Sequence, residues 1–184
     1  MITTGLNKVK FYFVFCVFAC LPVTCFGVPN VILSNQVAMD FGLIEYSGSG
    51  SVMIGTNGNV TYTGGFSGDG LGTAGAVLAT FTNSTTGTIA CSASANITNA
   101  TGDAVTVTNV EAVLGSGNRT SFGAGTPCLG TGTSIGTFTF SGGTNNRTIY
   151  LGGQINAPGS LSGDGAYSSA NVGGSYITIV VSVI

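Results

Sequence analysis

Ser134 has the neighbours of a hydrolase nucleophile. Residues 132–136 read Gly-Thr-Ser-Ile-Gly, the pattern that places a serine on a sharp turn between a strand and a helix. Such a serine needs a base, normally histidine, to accept its proton, and the chain contains no histidine. No lysine follows Lys10 that could replace it. We therefore predict that the protein has no catalytic residue and is not an enzyme.

Residues 70–75 (GLGTAG) match the glycine spacing of a dinucleotide-binding loop. That loop functions only between a buried strand and a helix whose N-terminus faces the pyrophosphate. Here a Gly/Ser-rich stretch precedes the motif and a strand-like run follows it, so the match is expected by chance in a chain with 31 glycines. The absence of histidine also leaves too few ligands for an ordinary zinc site. We expect no cofactor and no metal.

Asp69 and Asp164 occupy the same position in two copies of the tetrapeptide Ser-Gly-Asp-Gly. A carboxylate in such a loop could ligate calcium, but one carboxylate per loop falls short of an EF-hand or a calcium-binding β-roll. Asp next to Gly is also a common turn-forming pair. We interpret both tetrapeptides as turns.

Residues 1–27 have the three parts of a secretory signal peptide. A short basic stretch precedes an apolar run over residues 11–21, and the small residue Gly27 offers a cleavage point. The run is too short to span a bilayer, which takes about 20 apolar residues. A retained anchor and lipidation at Cys20 are the alternatives to simple cleavage. We expect export and a mature chain without a transmembrane segment.

Removal of this segment leaves a chain with few charges. Its only cations are Arg119 and Arg147, against six acidic residues: Asp40, Glu45, Asp69, Asp103, Glu111 and Asp164. Nucleic acids are bound mainly by cations that neutralise a row of phosphates, and anionic lipids are bound in a similar way. We therefore expect neither nucleic acid nor an anionic membrane as a partner.

Cys91 and Cys128 are the only cysteines after residue 27. An even pair in an exported chain is typical of a disulfide bond, and two separate buried thiols are the alternative. On chain-entropy grounds, a bond closing this loop would stabilise the fold by about 4 kcal/mol.

Runs rich in β-branched and aromatic residues alternate with clusters of Gly, Asn, Asp and Ser, as is typical of a β-sandwich. The pair Asn57-Gly58 predicts a hairpin between residues 52–54 and 60–62. The remaining strands are predicted over residues 31–41, 76–82, 88–98, 104–114, 135–141, 148–155 and 176–183. Because no stretch has sustained helical periodicity, the predicted fold class is all-β.

Nearly all of residues 30–184 resembles bacterial domains of unknown function that are related to the common-pilus (Mat/Ecp type) major subunits. The segments that carry the resemblance are residues 39–44 (MDFGLI), 50–54 (GSVMI), 58–65 (GNVTYTGG) and 173–176 (GGSY). The resemblance implies a single pilin-like domain over residues 28–184, an immunoglobulin-like antiparallel β-sandwich of about seven to nine short strands.

The resemblance also implies a structural subunit of a cell-surface fimbria, secreted through the periplasm with the help of a periplasmic chaperone and an outer-membrane usher. Its partners would be copies of itself or related subunits. They would polymerise by donor-strand exchange, in which an extended segment of one subunit fills a strand position in the next. The alternative function is a tip adhesin or another secreted β-sandwich that binds carbohydrate or protein.

Residues 28–41 suit such a donor strand, because they begin the predicted mature chain and carry no charge before Asp40. Their apolar side chains alternate, so that several fall on one face of an extended strand. The residues expected to enter the neighbour are Val31, Leu33, Val37 and Met39. The other interpretation makes this segment the first strand of its own sandwich, and the sequence leaves both open.

Overall fold

The chain forms two antiparallel β-sheets that pack face to face. The structure, a computed structural model, describes residues 7–10, 31–82, 85–115, 125–140, 143–157, 167–169 and 171–183. Within these ranges there are twelve strands and no helix. The strands are β1 (Asn7–Lys10), β2 (Val31–Val37), β3 (Asp40–Ile54), β4 (Val60–Gly68), β5 (Gly75–Thr82), β6 (Thr85–Cys91), β7 (Ala95–Thr98), β8 (Ala104–Gly115), β9 (Thr126–Pro127), β10 (Gly136–Phe140), β11 (Thr144–Ala157) and β12 (Ile179–Val183).

The larger sheet has nine strands and the smaller sheet three. The main path of the larger sheet runs β1-β3-β11-β5-β2, while β4 pairs with β3, β8 pairs with β11, and both β7 and β9 pair with β8. The smaller sheet has the order β10-β6-β12. The predicted all-β, antiparallel sandwich is confirmed, and immunoglobulin-like connectivity stays a prediction.

One hydrophobic core lies between the two sheets. The rings of Phe81 on β5 and Phe138 on β10 meet across it, with centroids 4.8 Å apart. The largest side chains that are fully buried are Phe41, Phe81, Met39, Ile54, Ile97, Ile149, Leu151, Ile177, Val52, Val107 and Val110. Each such side chain contributes about 1.5–3 kcal/mol by leaving water. All of them except Met39 and Ile177 lie on strands of the larger sheet, so its inward face supplies most of this stabilisation.

The hairpin predicted at Asn57-Gly58 is present between β3 and β4. The Gly58 amide donates to the carbonyl of Gly55 at 2.9 Å, and the Gly55 amide donates to the carbonyl of Asn59 at 3.0 Å. Gly58 has a φ of +83°, a conformation that glycine adopts without steric cost. The turn chemistry therefore predicted the hairpin correctly.

The prediction of a single strand over residues 88–98 is wrong. The chain leaves the smaller sheet after Cys91 and joins the larger sheet at Ala95. Ile89 and Ile97 nevertheless both point into the core. Because residues before and after this change of sheet point into the same core, the apolar alternation does not show where the chain passes from one sheet to the other.

The strand predicted over residues 31–41 is split between β2, which ends at Val37, and β3, which begins at Asp40. Three strands are long: β3 has 15 residues, β8 has 12 and β11 has 14. Each of them pairs with more than one strand along its length. β11, for example, pairs with β5 over residues 144–151 and with β3 over residues 153–157. These strands unite the larger sheet because each of them pairs with three other strands of that sheet.

The predicted signal peptide lies mostly outside the described residues. Its residues 7–10 form β1, antiparallel to residues 40–44 of β3. Gly27 and Cys20, the proposed cleavage and lipidation positions, are not among the described residues. Cleavage after residue 27 stays a prediction, and it would remove β1 from this edge of β3.

Candidate assembly surface

Strand β2, the first strand after the predicted signal peptide, lies at an edge of the larger sheet. Within the described part of the chain it pairs with β5 alone, in a register that places Leu33 opposite Ala79 and Val31 opposite Phe81. Val31 and Leu33 are half-buried and pack against the core. β2 is thus part of the sandwich of its own chain, through one row of backbone hydrogen bonds and two apolar side chains.

The four predicted contact residues of this segment have different surroundings. Val31 and Leu33 face the core from β2, whereas Met39, just beyond the strand, is completely buried. Val37 is 37% exposed, and the register between β2 and β5 shifts between Ser34 and Val37. This irregularity interrupts the alternation that the sequence predicted. Among the described side chains of β2, those that pack against the core are Val31 and Leu33.

An apolar cleft of about 140 Å³ opens between the end of β8 and the start of β10. Its lining comes from both sheets and consists of Ile89, Ala112, Val113, Leu114, Thr126, Ile135, Gly136, Thr137 and Ile149. β8 pairs with β9 on the side away from β11, and this pairing extends only to Ala112. Sequence reasoning missed this cleft because its walls come from five separate parts of the chain.

The predicted disulfide between Cys91 and Cys128 is confirmed, with a Cα–Cα distance of 5.1 Å. It joins the end of β6 in the smaller sheet to the segment that follows β9 in the larger sheet. The Cys128 amide donates to the carbonyl of Val110 at 2.7 Å, and the Gly130 amide donates to the carbonyl of Cys91 at 3.0 Å. Both cysteines are buried, so the bond links the two sheets from within the core.

Ser134 lies exposed in the loop before β10. Its hydroxyl donates to the carbonyl of Gly136 at 3.1 Å and accepts from the amide of the same residue at 3.3 Å. The strand β10 follows this loop, whereas a nucleophile elbow leads into a helix. Likewise, the glycine motif over residues 70–75 leads into β5 rather than a helix. The absence of enzymatic activity stays a prediction.

Asp69 bonds to the backbone of its own loop and of a neighbouring strand. Its carboxylate accepts the amide of Leu43 at 3.2 Å and the amide of Leu71 at 3.0 Å, as a turn-forming aspartate does. Asp164 lies outside the described residues. In the part of the chain that the structure describes, no three acidic or cysteine side chains cluster as metal ligands would.

The chain matches no protein-family profile, no curated protein and no solved structure. The described part of the chain contains no helix that is long and apolar enough to cross a membrane.

Proposed function

We propose that this protein is a structural subunit of a cell-surface fimbria and that it polymerises by β-strand complementation between subunits. The observation that carries the proposal is the position of β2, an edge strand that begins three residues after the predicted mature N-terminus. A strand at a chain end that has one neighbour leaves its sheet without breaking any other pairing. The β2 of a second copy then fits the same place, because its sequence and register are identical.

Such an exchange costs little free energy, because the pairing and packing that β2 gives up within its own chain form again between two chains. Each subunit gives β2 to one neighbour and receives β2 from another. The interface is therefore head-to-tail, and a head-to-tail interface that does not close into a ring extends into a fibre. A reciprocal exchange between two copies would instead close into a dimer, so the proposed fibre requires each subunit to exchange with two different neighbours.

The smaller sheet supports the proposal independently. Its outer strands, β10 and β12, pair only with β6 among the described strands. Neither contains a charged residue or a proline, and neither pairing has a register shift. Soluble monomers usually block such edges with lysine, proline or a bulge. Edges without these features suit a protein whose neighbours cover them.

A cysteine pair across the interface between β2 and β5 tests whether the strand is exchanged. Ile32 and Thr80 are opposite each other in this register, at a separation that a disulfide can bridge. Two single variants, Ile32→Cys and Thr80→Cys, are expressed together in one cell. We expect a disulfide between the two different chains, because β2 of one lies on β5 of the other. Non-reducing electrophoresis of surface fibres reads this out as a dimer band.

The control is the double variant Ile32→Cys/Thr80→Cys in a single chain, which reports pairing within or between chains. In fibres it should form a ladder of covalent multimers. If it forms only a closed monomer, and the co-expressed single variants remain unlinked, then β2 belongs to its own sandwich and the proposed mode of assembly is wrong.

A charge substitution on the inward face of β2 provides a second prediction. Leu33 packs against the core, whereas Ser34 is its neighbour on the opposite face. We expect Leu33→Asp to be exported but to form at least tenfold less fibre than Ser34→Asp, because the charge would have to be buried in the neighbouring subunit. Fibre yield and periplasmic protein are measured separately. Equal fibre yields from the two variants would contradict the proposal.

A further inference from the structure

The outer face of the larger sheet carries a cluster of amide and hydroxyl side chains. We call it the amide face, and its members are Asn96 on β7, Thr106, Thr108 and Asn109 on β8, and Gln154 and Asn156 on β11. All are exposed or half-exposed. Pairing between the strands brings them together, since Thr106 lies opposite Asn96 and Gln154 lies opposite Thr108.

Hydrogen bonds hold the three amides around Gln154 in fixed orientations. The Asn109 amide nitrogen donates to Gln154 Oε1 at 2.6 Å, and the Gln154 amide nitrogen donates to Asn156 Oδ1 at 2.8 Å. The Asn156 amide nitrogen in turn donates to Thr108 Oγ1 at 2.8 Å. Gln154 and Asn156 each donate one bond and accept another within this series, so these two amides are ordered before any ligand arrives.

The series uses only part of the hydrogen-bonding capacity of these side chains. A primary amide has two N–H donors and a carbonyl oxygen that accepts twice. Each of the three amide nitrogens donates one bond within the series, which leaves each a second N–H. The remaining groups are donors and acceptors side by side, and a sugar hydroxyl, which donates and accepts at once, pairs with such an arrangement.

The absence of charged side chains on the amide face excludes most other ligands. None of its six side chains is ionisable, so it offers nothing to an anionic polymer, whose binding requires cations. Met53, which lies opposite Gln154 on β3, is 42% exposed and is the apolar side chain beside the series. One methionine gives an apolar spot for a sugar ring but too little apolar area for a typical protein interface.

The dimensions of the face suit an extended ligand. Together with Met53 it crosses β3, β11, β8 and β7, and neighbouring strands lie about 4.8 Å apart, so the combined width is roughly 14 Å. We propose that this face binds a neutral polysaccharide, with the amides of Asn109, Gln154 and Asn156 bonded to hydroxyls and Met53 against a sugar ring. This inference goes beyond assembly and gives each subunit a side surface for a carbohydrate polymer.

Affinity electrophoresis of the folded, purified protein in native gels tests the proposal. The gels contain a neutral polysaccharide (mannan, galactan, dextran or xyloglucan) or, for comparison, anionic alginate. We expect at least one neutral polysaccharide, but not alginate, to retard the wild type. Asn156→Leu should weaken this retardation about tenfold, since it removes a hydrogen-bonding group and disturbs its neighbour.

Asn146→Leu is the control, because Asn146 is also an exposed asparagine of β11. Its side chain accepts one hydrogen bond, from Thr80 Oγ1 at 2.9 Å, whereas that of Asn156 makes two. Asn146 lies outside the amide face, and its variant should bind as the wild type does. Asn109→Gly is a second variant, chosen because it should not disturb folding. Asn109 has a φ of +47°, a backbone conformation that glycine tolerates better than asparagine does. This variant should melt at or above the wild-type temperature and still bind more weakly.

The proposal is overturned if no neutral polysaccharide retards the wild type, if alginate retards it equally, or if Asn156→Leu, Asn109→Gly and Asn146→Leu all bind alike. Fibre formation is measured on the same variants. Weakened binding with normal fibres is expected, so failure of polysaccharide binding and failure of the assembly proposal give different results.

Discussion

Cys91 and Cys128 show how one residue pair can join two layers of a fold. Their bond links β6 of the smaller sheet to the segment after β9 of the larger sheet, and both residues are buried. Because it restricts the unfolded chain across a separation of 37 residues, it is expected to contribute substantially to stability.

We predict that the double variant Cys91→Ser/Cys128→Ser unfolds with a free energy about 2–4 kcal/mol below that of the wild type. Urea denaturation of purified protein, followed by intrinsic fluorescence of the tyrosines, measures the difference. In native wild-type protein, iodoacetamide should add no mass to either cysteine. A double variant as stable as the wild type would show that the sheets are held together without this bond.

At the scale of elements, the β3–β4 hairpin contains a place where two backbones approach without side chains between them. A Cβ atom on Gly50 would lie 2.2 Å from the carbonyl oxygen of Thr63 and 3.0 Å from the Cα of Gly64. The register between the two strands shifts between Tyr46 and Gly50. The glycines therefore permit the close crossing at which the long strand β3 changes register.

We predict that Gly50→Ala destabilises the fold by about 1–3 kcal/mol, because the methyl group would force the two strands apart. Gly48→Ala is the control, since a Cβ at Gly48 would meet no atom within 4 Å. Thermal unfolding monitored by circular dichroism compares the two variants. If they melt at the same temperature, the close approach at Gly50 has no energetic importance.

At the scale of the whole molecule, the packing of Phe81 against Phe138 couples the two sheets. Both rings are buried, and they lie on strands that belong to different sheets. The smaller sheet has three strands, and Phe138 is one of its buried side chains in the core, so the loss of this ring weakens its packing on the larger sheet.

We predict that Phe138→Ala lowers the free energy of unfolding by about 3–5 kcal/mol. Thr139→Ala, at the exposed neighbouring position of β10, should change it by less than about 0.5 kcal/mol. Chemical denaturation measures both variants. A small effect of Phe138→Ala would mean that the smaller sheet repacks easily around the missing ring.

The sequence alone determined the features that depend on neighbouring residues. β-branched and aromatic runs separated by turn residues predicted an all-β chain, and the Asn57-Gly58 pair predicted the hairpin between β3 and β4. The cysteine count predicted the disulfide, because only two cysteines follow the predicted signal peptide. These signals are local or compositional, so they can be read without knowing which strands pair.

Only the tertiary structure decided which strands become neighbours. The crossing between Cys91 and Ala95 left the apolar alternation unchanged, because the inward faces of both sheets meet the same core. The cleft and the amide face each gather residues from strands distant in sequence, and Asn109 meets Gln154 only through the pairing of β8 with β11. Strand pairing joins residues across long stretches of chain, and a pattern with a period of two records which face a residue takes but not its neighbour on that face.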